Sequence, residues 1–174
     1  MTSRLQRWAL LIDALSDRIG RGVAWLTLGT VGVTFAVVVL RYGLDWGSIA
    51  VQESVIYLHA LVFMLGVSYT LRHDAHVRVD ILYRDMSPRG RAWVDLSGSL
   101  VLLLPVCGFI LWSSAGYVAD AWLRLEGSRE AGGLPLVFVL KGFIPLMAVL
   151  LALQGIAQAL HSLQRLRSAD GPED

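Results

Sequence analysis

Residues 71–80 read LRHDAHVRVD, with two His, two Arg and two Asp packed against the end of a long apolar run. Imidazoles and carboxylates at that density could hold a metal ion or fix a turn by ion pairing. His73, Asp74, His76 and Asp80 are the donors, and His73 and His76, three apart, could share a helical face. Arg72 and Arg78 oppose a cation at the same place, and no third ligand completes a tetrahedral set. The stronger expectation is a structural cluster that fixes the turn, or that pairs with lipid phosphates or another subunit.

Other polar residues stand out because their surroundings are apolar. His59 lies inside the second apolar run, where an imidazole could bind haem. Haem in a four-helix membrane bundle takes two facing axial ligands, however, and His161, beyond the fourth run, is not at depth. A neutral, hydrogen-bonded His59 between helices is the preferred reading. Lys141, inside the fourth run, either snorkels to the interface along its stem or pairs with an acid on a neighbouring helix or another chain. Gln52 and Glu53 open the second run, where Glu53 suits a helix N-terminus or a partner contact. Residues 126–135, EGSREAGGLP, place Gly132 and Gly133 in a turn leading to a helix with Pro135 in its first turn, flanked by Glu126 and Glu130. The sequence shows no nucleophile–base pair, phosphate loop or intramembrane carboxylate pair, so it calls for no catalysis, metal or cofactor. The lone Cys107 excludes an intrachain disulfide.

These residues sit in a chain of 174 that is 55% hydrophobic and 17% charged. Soluble domains carry about 25% charge, and here the charge is confined to islands between four apolar runs. The runs span about 22–40, 54–71, 96–119 and 134–160. Even the shortest, at 1.5 Å per residue, covers roughly 27 Å of hydrocarbon, where a backbone must satisfy itself as helix. The expectation is an all-α integral membrane protein with four transmembrane helices, a single membrane domain over 1–167 and a polar tail over 168–174. With no small-x-small site after Leu40, the first run is read as a retained span. Before it, Leu5, Trp8, Ile12, Leu15 and Ile19 recur at helical spacing. They predict an amphipathic helix over 4–20, lying on the inner membrane surface or packed on a partner. Thr27, Thr30 and Thr34, with Gly66 and Ser68, would permit close helix contacts.

Arg residues set the direction. Eleven lie in the N-terminal segment, the middle connection and the tail, against three in the other two connections, which puts both termini in the cytoplasm. Scattered at span ends, they form no basic face for nucleic acid. The two helix pairs differ in length and polar content, which argues against the inverted repeats of a self-contained carrier.

The boundary motifs, in order, are Arg41-Tyr42, Gln52-Glu53-Ser54, Gly66 through Leu71 to RHDAHVRVD, SREAGGLP over 128–135, and Lys141, Ile144 and Pro145. In this set the chain resembles the DctQ-type small membrane subunits of tripartite ATP-independent periplasmic (TRAP) transporters, from Arg18 to Leu163. The resemblance is closest to subunits accompanying 2-oxo acid and related carboxylate systems. It implies a bacterial inner-membrane helper that scaffolds a large multi-span permease subunit in sodium-driven uptake. A periplasmic substrate-binding protein delivers the organic acid and docks on the side holding Gln52, Glu53, Glu126, Glu130, Gly132, Gly133 and Pro135. Membrane lipid is the remaining partner, and no cofactor is implied. Two other readings stand beside it: a homo-oligomeric channel lined by Lys141, and a haem-b membrane anchor using His59.

Overall fold

The computed structural model describes residues 2–76 and 83–168. Regular structure among the described residues is helical: α1 (Thr2–Gly43), α2 (Ile49–Arg72), α3 (Pro88–Ser97), a π-helical segment (Gly98–Leu103), α4 (Leu104–Leu123) and α5 (Val137–Ser168). α3, the π segment and α4 form one continuous rod of 36 residues, so four helices are long and apolar enough to cross a membrane. α5 packs against α1, α2 and the α3–α4 rod, while α1 also packs along α2. The start of α1, the end of α2, the start of α3 and the end of α5 therefore lie at one end of the bundle, and the α1–α2 and α4–α5 connections at the opposite end.

α1 joins two expected elements into one. The surface helix over 4–20 and the first span run on without a break for 42 residues, about 63 Å against about 30 Å of hydrocarbon. A single inward stripe accounts for the continuity. Ala9, Asp13, Ser16, Gly20 and Val23 are buried, and Leu26, Thr30, Val33 and Val37 carry on half-buried at the same helical spacing. The apolar side of the first turns, Leu5, Trp8 and Leu15, faces outward.

The core is made of small side chains: Ala9, Ala92, Cys107, Ala121, Ala148 and Ala157 are each at most 1% exposed. In lipid no hydrophobic drive brings helices together, so close backbone approach and dispersion must do it. Gly20 marks a close approach of α1 to α2, since a Cβ there would strike Tyr69 Cδ2. Gly66 faces Val23 and Ser68 is fully buried, as their spacing predicts. The threonines differ. Thr30 lies half-buried in the inward stripe, while Thr27 and Thr34 are exposed beside it, and the Thr30 and Thr34 hydroxyls donate to carbonyls of their own helix at 2.9 and 2.7 Å.

α3 starts at the expected Ser-Pro step. Ser87 Oγ accepts from the Gly90 N–H at 3.2 Å, and Pro88 takes the first helical position. Further on, Pro105 has no N–H to offer the Val101 carbonyl. The chain widens just before it, and the Leu104 N–H reaches back five residues to the Ser99 carbonyl. α5 begins at Val137, so Pro135 stands before the helix rather than in its first turn, and the helix continues past Leu160 to Ser168.

Overpacking at a glycine contact typically costs about 1–3 kcal/mol, so Gly20→Ala should lower the thermal unfolding midpoint of the detergent-purified protein. Gly22→Ala, where a Cβ meets nothing within 4 Å, should leave it unchanged. A Gly20→Ala midpoint equal to wild type would show that α1 and α2 do not approach this closely.

Candidate functional site

Polar side chains gather at the two ends of the bundle. At the end that carries the termini, Asp13 is only 8% exposed and sits where α1, α2 and α5 meet. The Gln154 amide donates to Asp13 Oδ1 at 2.9 Å, and His161 Nε2 lies 2.9 Å from Oδ2. Ser16 Oγ donates to Gln154 Oε1 at 2.7 Å. From α2, Arg72 donates to the Asp13 backbone carbonyl and pairs with Asp17, with its Nε 3.9 Å from Asp13 Oδ1. His73 stacks on Tyr69 at 4.2 Å and places Nε2 3.6 Å from Asp17 Oδ1. A carboxylate out of water needs such compensation. A polar cleft of about 800 Å³ opens beside it, lined by Asp13, Arg72, Asp74, Asp95, His161 and Arg165 among others.

The motif that opened the sequence reading is therefore divided. α2 ends at Arg72. The Ala75 N–H returns to the Thr70 carbonyl at 3.0 Å, and Asp74 takes the left-handed position (φ 52°) that usually falls to glycine. His73 and His76 thus do not share a helical face, and His76 lies beyond the turn. Arg78 and Asp80 are outside the described residues. Among the described residues no group of three or more His, Cys, Asp or Glu is placed to hold a metal ion. The expected surface helix over 4–20 would carry Asp13 and Asp17 on its polar face, so that reading missed the node they form. One signal was available: Gln154 and His161, seven apart, share a face of α5.

At the opposite end, the connection between α4 and α5 is clamped from two sides. Glu53 is past the first turn of α2 and does not serve that helix's N-terminus. Its carboxylate accepts from the Ser128 hydroxyl and from the Leu134 N–H at 2.6 Å. Within the loop, the Ser128 N–H donates to the Leu134 carbonyl and the Gly133 N–H to the Glu130 carbonyl, both at 3.0 Å. Gly132 adopts φ 80°, and a Cβ at Gly133 would strike Ser128 and lie 2.8 Å from Glu53 Oε2. Both positions accordingly need glycine. Lys141 Nζ sits 2.5 Å from Glu126 Oε2 and 3.8 Å from the Tyr117 ring centre, so its ion pair is made within the chain. Trp122 meets Phe138 edge-on at 5.0 Å. Arg129, Glu130 and Gly132 remain exposed at the loop tip, and Pro135 is exposed at its end. Gln52 lies half-exposed at the mouth of the first connection. His59, expected between helices, is instead on the outer side of α2 with its ring 4.7 Å from Phe63.

In both clusters the charged groups are matched to one another and tie helices and a loop into place. The fold and these sites define a multi-pass membrane protein whose polar residues hold its own architecture together. Residues 30–165 match the family described as the DctQ component of tripartite ATP-independent periplasmic transporters, and the chain belongs to that family as a small permease subunit. No curated protein and no solved structure matches it.

Removing one partner of a buried polar pair costs about 3 kcal/mol, so Asp13→Ala should lower the thermal midpoint by about 10 °C. The exposed Asp85→Ala serves as the neutral comparison. Glu53→Ala should free the α4–α5 loop, and limited trypsin digestion should then cut after Arg129 about tenfold faster than in wild type. An unchanged cutting rate would mean that Glu53 does not hold the loop.

Proposed function

We propose that this subunit is a static scaffold for the large permease subunit, in sodium-gradient-driven uptake of an organic acid brought by a periplasmic binding protein. The observation that carries the reading is the self-matching of the charged groups. Asp13, Arg72, Glu53, Glu126 and Lys141 all find partners inside the chain, which leaves none of them to take up an ion or a solute. A bundle tied at both ends resists deformation, as a brace for a moving partner should.

The excess of Arg at one end supports cytoplasmic termini in the bacterial inner membrane, with the clamped loop on the periplasmic side. There Glu53 and Glu126 are occupied in holding the loop. The surface left for the binding protein is the exposed tip around Arg129, Glu130 and Gly132, together with Asp45 and Asp120, which are also exposed toward that end. The Arg72–His73 cluster at the cytoplasmic end then serves to position helices.

The test is affinity purification of the tagged chain in mild detergent, with mass spectrometry of what remains bound, followed by reconstitution. A larger multi-span membrane chain should co-purify in stoichiometric amount. Proteoliposomes holding only the small chain should show no sodium-dependent uptake, and those holding both chains with the binding protein should. A chain that purifies alone and conducts ions, or one that shows haem absorbance, would overturn the reading.

A further inference from the structure

Along α2, Gln52, Ile56, His59 and Phe63 follow at intervals of four, three and four, so they form one stripe. Ile56 is 62% and Phe63 67% exposed, His59 is exposed and Gln52 half-exposed. His59 is about 15 Å along a helix of 24 residues, inside the apolar run that begins at Ser54. Its ring touches Phe63, and neither ring nitrogen has a hydrogen-bond partner among the described residues.

Acyl chains can meet neither the donor nor the acceptor of an imidazole, and ionisable side chains at this depth face protein or a water-filled cavity. The other polar groups named above obey that rule; His59 does not. The outward side of α1 offers the contrast, since Trp25, Leu28 and Phe35 are exposed and wholly suited to lipid. A second copy of this chain is a poor cover for the α2 stripe. A two-fold contact would set each residue near its twin, and imidazole against imidazole leaves one nitrogen of each ring unmet.

Resting on the scaffold reading, we infer that the stripe Gln52–Ile56–His59–Phe63 is the seat of a transmembrane helix of the large permease subunit, which presents a hydrogen-bonding side chain to His59. The apolar residues on either side supply packing, and the imidazole fixes the register of the partner helix. The outward face of α1 stays in lipid.

The test uses the whole transporter in native membranes, with the photo-reactive residue p-benzoylphenylalanine replacing Ile56, Phe63 or, as control, Phe35. Irradiation should join the tagged chain to the larger membrane chain from positions 56 and 63, and to lipid alone from 35. His59→Leu should lower recovery of the larger chain about fivefold while His59→Asn, which keeps a donor and an acceptor, retains it. Adducts from position 63 to lipid alone, or to a second copy of this chain, would overturn the inference. If the larger chain still co-purifies in that case, the scaffold reading stands and only the assigned face is wrong; if nothing co-purifies, both fall.

Discussion

A carboxylate buried where three helices converge must be compensated by the helices packed against it, and Asp13 sets that requirement for this bundle. It draws an amide and an imidazole from α5 and a guanidinium from α2. To reach them, the first turns of α1 must stay within the bundle instead of spreading on the membrane surface. The same demand fixes where α2 ends, because Arg72 occupies its last helical position and serves Asp13 and Asp17 together. In a medium where apolar faces gain little by meeting each other, a few satisfied polar ties and close small-residue approaches decide the register.

The opposite end uses a different device for a related purpose. A surface loop would ordinarily be free to sample many shapes, but Glu53 reaches across from α2 to hold its two ends, and Lys141 holds its beginning through Glu126. The two glycines let the loop close over Glu53 without strain. A binding protein meeting this tip would find it already shaped, and would lose less conformational freedom on docking.

The spans were legible because nothing but helix can carry such long apolar runs through hydrocarbon. The start at Ser87-Pro88 and the turn at Gly132-Gly133 were legible because each has its own local chemistry. The polar node was not. Asp13 and Asp17 repeat at helical spacing among apolar residues, a pattern equally compatible with a solvated face, and only the position of α5 shows which way they point. Lys141 illustrates the same limit: its sequence neighbours allow both snorkelling and pairing, and the choice depends on how α4 hands over to α5. His59 shows another limit, since a polar residue in an apolar run is reasonably placed between helices, yet no described helix of this chain covers it. It lies outside because α2 turns its small and hydroxyl-bearing side, including Ser68, toward the core.

The widened turn before Pro105 has a consequence for how this rod tolerates change in length. Its buried positions run Ala92 and Ser99, then Cys107, Ser114 and Ala121, a seven-residue beat that skips once, by one residue, at the π segment. In an unbroken α-helix the extra residue would rotate everything after it by about 100°, turning Cys107, Ser114 and Ala121 away from α5. The π segment absorbs it, so both halves of the rod keep the same side toward their neighbour. Here the π turn behaves as a one-residue insertion whose phase error is cancelled where it arises.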